Sequence, residues 1–335
     1  MIPAKALSRQ VPRWQRELAR AITDPGELLR ELELDPALLP AARVAAARFS
    51  LRVPRGFVAR MAKGDPGDPL LRQVLPLGAE LETTPGFAAD PVGDRAAQAA
   101  PGVLHKYHGR ALLIVTSACA AHCRYCFRRE YPYADSRAGM DEWQPALAYL
   151  AGDPSIREVI LSGGDPLSLS DRRLGALLAA LDQIPHLERL RIHSRQPIML
   201  PERVDHGLLD LLARTRLRPV LVVHANHPRE IATAVRAALA QLAGAGVTLL
   251  NQSVLLRGVN DSATVLAELS ETLFAARVLP YYLHLLDPVQ GAAHFDVNET
   301  EASAIMKILR QRLPGYLVPR LVREQPGQPA KTPVG

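Results

Sequence analysis

"EVILSGGDPLSLSDRRLGALLAALDQI", residues 158–184, contains one complete strand–turn–helix unit. Its first part, "EVILS" (158–162), is a short apolar run with β-branched residues, which predicts a buried strand. The glycine pair of "SGGD" (162–165) predicts a turn. The remainder has Ser and Asp as candidate N-caps ahead of helical apolar spacing, which predicts a helix. Such a unit is the repeating element of α/β proteins.

The same alternation of strand and helix continues on both sides of this unit, from about residue 110 onward. Apolar runs predict strands at 111–116, 158–162, 189–194, 219–225, 247–256 and 277–286. Helical spacing predicts helices near 141–151, 170–182, 203–213, 228–243 and 262–275. Six strands, each followed by a crossover segment, imply parallel pairing. A partial (β/α)6 barrel and a doubly wound sheet both fit this pattern.

Polar side chains at the strand ends favour the barrel. Every predicted strand carries such residues at its C-terminal end or, for Gln252, within the run: a cysteine loop, Ser162–Asp165, Ser194 with Arg195, His224 with Asn226, Gln252, and Asp287. In (β/α) barrels the active site is built at that face from those loops. The sequence therefore predicts a catalytic site at the C-terminal face of the barrel.

The segments that flank the strand–helix region differ from it in character. Residues 1–95 read as a helical N-terminal extension, residues 96–312 as the barrel, and residues 313–335 as a turn-rich C-terminal segment that on composition alone would be a frayed tail. The net charge of +6 comes from scattered arginines, so we expect no nucleic-acid partner. No apolar run is long enough for a membrane span, no secretory signal is visible at the start, and three clustered cysteines suit a reducing compartment. We therefore expect a cytoplasmic protein without a membrane partner.

All three cysteines lie in "TSACAAHCRYCFRR", residues 116–129. Cys119, Cys123 and Cys126 with His122 could form a zinc site of Cys3His type, but the adjacency of His122 to Cys123 hinders tetrahedral closure. The spacing favours an iron–sulfur cluster, which normally takes four thiolates. With only three thiolates, one iron would stay open to another ligand. A non-catalytic metal-binding scaffold is the alternative from another class of protein.

The Cys-x3-Cys-x2-Cys spacing resembles that of radical S-adenosylmethionine enzymes. Five motifs in order narrow the resemblance to the lysine 2,3-aminomutases: "CRYCFRR", "LSGGDPL", "HANHP", "NQSVLLRGVND" and "KTPV". The resemblance implies a [4Fe–4S] cluster, S-adenosyl-L-methionine and pyridoxal 5′-phosphate as cofactors. It implies that S-adenosylmethionine contacts Tyr125, Gly163, Gly164, Asp165, His224 and Gln252. It further implies that Lys331 carries pyridoxal phosphate as the catalytic lysine and that the cofactor's phosphate contacts Lys106, Tyr107 and Arg110.

The resemblance also implies the substrate and its contacts. Arg128 would pair with the α-carboxylate of L-lysine, and Asp287 and Glu324 with its ε-ammonium. Glu324 stands where the free-lysine enzymes have Asp, and the chain stops soon after Lys331. Both features resemble the aminomutase that makes β-lysine, the R enantiomer, for elongation factor P and its lysyl ligase. A free-pool aminomutase of catabolism or osmolyte synthesis is the alternative. An external one-electron donor is implied, and a homo-oligomer is left open.

Overall fold

One mixed sheet of ten strands organises the computed structural model, which describes residues 11–133 and 143–334. The strands are β1 (Gln98–Ala100), β2 (Val103–Tyr107), β3 (Arg110–Thr116), β4 (Glu158–Gly163), β5 (Arg189–Ser194), β6 (Arg218–Val223), β7 (Thr248–Val254), β8 (Leu279–His284), β9 (Arg320–Arg323) and β10 (Thr332–Pro333). The six predicted strands correspond to β3–β8.

The order of the strands decides between the two sheet architectures. Strands β3 to β9 pair in parallel, each with its successor in the chain, while the pairs β1–β2, β2–β3 and β9–β10 are antiparallel. A doubly wound sheet would reverse direction at a switch point, and this order has no reversal. In the described residues β1 and β10 do not pair with each other, so the barrel is open. The predicted partial barrel is thus confirmed, with β9 as an additional short parallel strand.

Helices cover the outer face of the parallel strands. The α-helices are α1 (Arg13–Ala19), α2 (Pro25–Glu31), α3 (Leu39–Arg48), α4 (Arg55–Val58), α5 (Pro69–Arg72), α6 (Gln144–Gly152), α7 (Asp171–Asp182), α8 (Gln196–Met199), α9 (His206–Arg214), α10 (Thr233–Gly244), α11 (Ala263–Ala275) and α12 (Glu299–Arg312). The start of the helix expected near 141 lies outside the described residues. In α7, Leu174, Leu177, Leu178 and Leu181 are buried. Their spacing of three and four places one apolar stripe against the sheet. No helix among the described residues has the length and apolar character to cross a bilayer.

The N-terminal extension has a hydrophobic cluster separate from that of the barrel. Leu28, Phe57 and Leu71 are fully buried in this cluster. Two residues from outside the extension belong to the same cluster: Ala121 of the cysteine loop and Met199 at the end of α8. Because the extension shares its core with these two residues, it packs directly against the loop that carries the cysteines.

The C-terminal segment is ordered by strand pairing. Strand β9 pairs with β8, and Thr332 of β10 lies opposite Arg323 of β9. Gly327, in the turn between them, adopts a φ of 77°, a left-handed conformation that glycine adopts without strain. The frayed-tail interpretation is therefore wrong for the described part of this segment, and the β9–β10 pairing brings Lys331 back to the barrel.

Candidate active site

A cavity of about 620 Å3 opens at the C-terminal ends of the parallel strands. Its volume is in the range of cavities that hold small molecules and cofactors. Every site residue predicted from the sequence lines it: Lys106, Tyr107, Arg110, Cys119, Cys123, Tyr125, Cys126, Arg128, Gly163, Gly164, Asp165, His224, Gln252, Asp287, Glu324 and Lys331. The structure thus brings these residues together, while their individual roles stay predictions.

The cysteine loop is fixed by side chains that the sequence did not single out. Arg124 is fully buried, and its Nε and Nη2 donate to the two carboxylate oxygens of Glu80 at 2.8 and 2.5 Å. Arg129 donates to the same carboxylate at 2.9 Å. Backbone bonds from His122 N to Arg52 O and from Arg124 N to Gln73 O, both 2.9 Å, complete the attachment. A bidentate arginine–carboxylate pair fixes orientation as well as position, so the extension holds the loop in one conformation.

The three thiols suit a cluster better than a single ion. Among the described residues, no three His, Cys, Asp or Glu side chains converge as the ligands of one metal ion do. A cubane does not require such convergence, because each of its cysteines binds a different iron. His122 is also engaged elsewhere, since its Nδ1 lies 2.8 Å from the carbonyl oxygen of Ser50. Burial raises the pKa of Cys126 to about 11, so cluster binding must displace a proton from this thiol.

The glycine pair at the end of β4 packs against the start of the cysteine loop. Gly163 has a φ of 113°, and a Cβ there would lie 2.6 Å from Thr116 O. A Cβ on Gly164 would lie 2.5 Å from Ala118 O. Gly164 N donates to Thr116 O at 2.7 Å. Both positions therefore require glycine for close backbone contact, independently of any contact with S-adenosylmethionine.

The carboxylate of Asp165 is occupied by internal donors. Its Oδ1 accepts from Ser194 Oγ at 2.7 Å and from Leu167 N at 3.0 Å. Its Oδ2 accepts from the backbone N–H groups of Arg195 and Gln196 at 2.8 and 3.0 Å. Asp165 therefore joins the β4 loop to the end of β5. Both carboxylate oxygens already accept two hydrogen bonds each, so this geometry does not support the predicted contact of Asp165 with S-adenosylmethionine.

The other predicted S-adenosylmethionine contacts come from the end of β6, from β7 and from the cysteine loop itself. His224 Nε2 is 2.8 Å from Gln252 Nε2, and burial lowers the pKa of His224 to about 3. The neutral ring must accept at Nε2, because an amide nitrogen only donates. The Tyr125 hydroxyl accepts from Asn226 Nδ2 at 2.7 Å. These are fixed polar groups of the kind that orient a ligand in a cavity.

Cationic groups surround Glu324 at the C-terminal segment. Glu324 accepts from Lys331 Nζ at 2.6 Å, from the Tyr107 hydroxyl at 2.8 Å and from Lys106 Nζ at 3.3 Å. Burial alone would raise the pKa of Glu324, but Lys331, Lys106 and Tyr107 outweigh it and lower the value to about 2. Arg110 stacks over the ring of Tyr107 with its Cζ 4.7 Å from the ring centroid. The Lys331 amine can bind an aldehyde, and the neighbouring Lys106, Arg110 and Tyr107 side chains can bind a phosphate. This group of side chains therefore fits a cofactor that carries both.

Two buried imidazoles support that fit. The Nε2 atoms of His193 and His284 have no hydrogen-bond partner among the described residues, and both side chains line the cavity. Burial lowers the pKa of each ring well below its usual value, so both are neutral at pH 7. Buried polar atoms without partners are rare in proteins, and a polar ligand in the cavity would satisfy them.

Arg128 and Asp287 present opposite charges to the cavity. Arg128 is buried; its Nε donates to Asp94 Oδ2 at 2.7 Å and its Nη1 to Ser162 Oγ at 3.0 Å. Asp94 also pairs with Lys106 at 2.7 Å. Burial raises the pKa of Asp287 to about 7, a rise that the Lys331 ammonium partly opposes. Within the described residues the Asp287 carboxylate has no hydrogen-bond donor, so it can receive a cationic ligand.

Several buried residues that hold the site together were not predicted from the sequence: Gln73, Glu80, Asp94, Arg124 and Glu230. Arg124 lies inside the cysteine motif, so its position there was a signal that could have been used. The others are single polar residues in helices or in the turns beside helices and strands, and nothing in their local pattern distinguishes them from surface residues.

An iron–sulfur assignment also follows from comparison with protein families. Residues 108–186, which span β3 to α7, match the model of a 4Fe-4S single cluster domain. Such a domain on an open parallel barrel, with three cysteines after its first parallel strand, defines the class of radical S-adenosylmethionine enzymes. Among solved structures, a radical SAM methyltransferase from Sphaerobacter thermophilus aligns over 66% of this chain and 68% of its own, with a TM-score of 0.46 and 19% identity.

Curated relatives match the chain over nearly its full length. An L-lysine 2,3-aminomutase from Escherichia coli is 53% identical over 96% of this chain and 94% of its own. That of Haemophilus influenzae is 46% identical over 99% and 98%, and that of Clostridium subterminale 36% identical over 96% and 77%. The chain belongs to the L-lysine 2,3-aminomutase family. It is an isomerase that uses a [4Fe–4S] cluster, S-adenosylmethionine and pyridoxal phosphate, which confirms the predicted enzyme class and cofactors.

Proposed function

We propose that this protein converts free L-α-lysine to β-lysine by moving the α-amino group from C2 to C3. The observation that carries the proposal is the single cavity in which three cysteines, a half-buried lysine and two opposite charges for the ends of an amino acid meet. The identity of 53% and 46% to the L-lysine 2,3-aminomutases of Escherichia coli and Haemophilus influenzae supports it.

Each charged residue has a distinct task in this proposal. Arg128, held by Asp94, pairs with the α-carboxylate, and Asp287 accepts the ε-ammonium. Lys331 carries pyridoxal phosphate, while Lys106, Tyr107 and Arg110 bind its phosphate. Glu324 holds Lys331 and Lys106 in place and completes the negative charge near the ε-ammonium. Binding both ends of the substrate fixes the carbon atoms between them, which is how positioning lowers a barrier.

The cofactors supply the reactive groups. When bound, the cluster with S-adenosylmethionine supplies a radical that takes a hydrogen atom from the substrate, and pyridoxal phosphate supplies the conjugated carbonyl that carries the migrating nitrogen. The chain's residues orient both cofactors and keep water out of the cavity. Cys119, Cys123 and Cys126 bind the cluster, and the neutral His224 with Gln252 holds S-adenosylmethionine.

We further propose that the product is the R enantiomer and that it supplies the modification of elongation factor P. Glu324, one methylene longer than the Asp of the free-lysine enzymes, supports this branch. A lysine within a polypeptide has no carboxylate to pair with Arg128, so the free amino acid reacts first and a ligase attaches the product.

The test is anaerobic reconstitution with L-lysine followed by chiral chromatography. We expect (R)-β-lysine, which the lysyl ligase then transfers to elongation factor P. Formation of the S enantiomer, or a product that the ligase rejects, would exclude the elongation factor P branch but not the aminomutase activity. Cleavage of S-adenosylmethionine without any β-lysine would exclude the activity itself. Rearrangement of lysine only within intact elongation factor P would reverse the proposed order.

A further inference from the structure

A buried arginine contacts one of the cysteine sulfurs. Arg195, directly after β5, is 7% exposed, and its Nη1 donates to Cys123 Sγ at 2.8 Å. The amino-shift chemistry proposed above gives this residue no task. A guanidinium is always ionised and donates in a fixed planar geometry. Arg195 therefore presents a permanent positive charge and an N–H group to a cluster ligand.

The direction of this contact is fixed from two sides. Arg195 Nη2 donates to Gln73 Oε1 at 2.5 Å and to Glu230 Oε2 at 2.9 Å. The backbone N–H of Arg195 is bound by Asp165 at 2.8 Å. With Nη2 and the backbone N–H of Arg195 both held, Nη1 stays directed at Cys123 Sγ.

The two acceptors are themselves held in place. Glu230 and Gln73 are both fully buried. Glu230 Oε1 accepts from the backbone N–H groups of Asn226 and His227 and from Gln73 Nε2 at 2.9, 3.0 and 3.1 Å. Gln73 Oε1 accepts a further bond from Asn226 Nδ2 at 3.0 Å. Buried polar groups that are held by several hydrogen bonds each, as the Gln73 and Glu230 side chains are, form a rigid support. Since Gln73 belongs to the N-terminal extension, the extension takes part in orienting Arg195.

We propose that Arg195 is a positioning residue that raises the reduction potential of the cluster, and that Gln73 and Glu230 keep it directed at Cys123. One electron from a low-potential donor reduces the oxidised cluster and adds one negative charge to it. Hydrogen bonds to the sulfur ligands stabilise that charge and are a known determinant of cluster potential. Glu230 balances part of the guanidinium charge. The hydrogen bond from Arg195 to the sulfur is therefore the main cause of the higher potential. The inference depends on the cluster and not on lysine as the substrate.

The experiment is a redox titration of the reconstituted holoenzyme without S-adenosylmethionine, followed by electron paramagnetic resonance of the reduced cluster. For Arg195→Gln we expect the ratio of reduced to oxidised cluster at a fixed potential to fall about tenfold, which is 59 mV for a one-electron couple. Arg195→Lys keeps the charge, so we expect this ratio to fall less in that variant. Arg236→Gln is the matched control, because Arg236 is an exposed residue of α10 and its loss changes the net charge equally. Its titration should equal that of the wild type.

Other outcomes decide against the proposal. Wild-type titration curves for both Arg195 variants would overturn it, even if their affinity for S-adenosylmethionine fell, because Arg195 would then act on that ligand alone. An equal shift of the cluster potential in Arg236→Gln would also contradict the proposal, because the effect would then come from net charge alone. If Arg195→Gln does not hold four irons, Arg195→Lys decides the question. Loss of the cluster from both would also overturn the proposal, since Arg195 would be a requirement for assembly.

Discussion

Lys331 Nζ lies 2.6 Å from Glu324 Oε2, a carboxylate seven residues earlier in the chain. The antiparallel pairing of Thr332 with Arg323 brings the two together. This short pairing returns the end of the chain to the cavity. It also sets the Lys331 ammonium 5.8 Å from the centre of the Tyr282 ring. The lysine with the weakest local signal in the sequence is thereby held by two contacts of its ammonium, with Glu324 and with the Tyr282 ring, and by the β9–β10 pairing beside it.

Replacing Lys331 by Ala should remove bound pyridoxal phosphate and leave the cluster in place. Lys331 is the one amine that the proposal joins to this cofactor, and it contacts none of the cysteines. We expect loss of the pyridoxal absorbance that borohydride fixes, with an unchanged iron–sulfur spectrum. Lys307→Ala on the exposed face of α12 is the matched control and should retain both. A pyridoxyl group found on Lys307 in reduced wild-type protein would contradict the assignment.

Ionisation of Asp287 should make kcat/KM for lysine fall at acidic pH. Burial raises the pKa of its carboxyl to about 7, and only the ionised form pairs with the substrate ammonium. Below pH 7 we therefore expect kcat/KM for lysine to fall about tenfold per pH unit. Asp287→Asn should lower kcat/KM at pH 8 by roughly 10- to 100-fold, since about 1.5–3 kcal/mol of charged hydrogen bonding is lost. It should also remove this acidic fall from the pH profile.

The Asp287 carboxyl should affect stability in the opposite sense: kcat/KM rises with pH, whereas the free energy of unfolding falls. Its pKa is higher in the folded chain than in the unfolded chain, so the folded state binds more protons between about pH 4 and pH 7. Without substrate, its contribution therefore favours folding at pH 5 and is lost as the pH rises through 7. Urea titrations should show that Asp287→Asn stabilises the protein more at pH 8 than at pH 5. Equal effects at both pH values would contradict the raised pKa.

Asp94 should affect substrate binding through Arg128. Asp94 accepts from Arg128 at 2.7 Å and from Lys106 at 2.7 Å, and these cations hold its pKa below its usual range although burial opposes them. Asp94→Asn keeps the shape but weakens both pairs, so we expect KM for lysine and the dissociation constant of pyridoxal phosphate to rise together, each about tenfold. Steady-state kinetics and equilibrium dialysis measure the two. Arg189→Lys, on a side chain that is 42% exposed, is the control and should change neither. A change in only one constant would contradict the shared role.

The barrel could be predicted because its signals are local. Each strand from β3 to β8 is a short apolar run, and the polar residues at the strand ends meet at one face whatever the details of packing. The glycine pair and the cysteines lie in such loops. Lys331 was located only through a motif resemblance, since on composition alone it would belong to a solvated tail.

The supports of the site could not be predicted because they depend on long-range packing. Glu80 binds Arg124 across 44 residues, and Gln73 binds Arg195 across 122. Neither glutamate nor glutamine in a helical extension carries a pattern that distinguishes a buried position from an exposed one. Their burial is decided by the docking of the extension on the barrel, which no local periodicity encodes.

Gly164→Ala should displace the cysteine loop. A Cβ at this position would lie 2.5 Å from Ala118 O and 2.6 Å from Ser117 C, both backbone atoms of the segment that leads to Cys119. Backbone cannot rotate away as a side chain can, so the loop must shift, at a cost of about 1–3 kcal/mol for overpacking. We expect the reconstituted variant to bind S-adenosylmethionine at least tenfold more weakly, with an altered cluster signal before any ligand is added.

Gly152→Ala is the matched control for this substitution. Gly152 is exposed at the end of α6, and a Cβ there would meet no atom within 4 Å. Alanine is the better helix former, so this variant should be unchanged or slightly more stable. Isothermal titration with S-adenosylmethionine and the resonance spectrum of the reduced cluster compare the two proteins. If Gly164→Ala weakened binding but left the ligand-free cluster spectrum identical to that of Gly152→Ala, the glycine would act on the ligand alone. The packing of β4 against the cysteine loop would then not explain why glycine is needed at position 164.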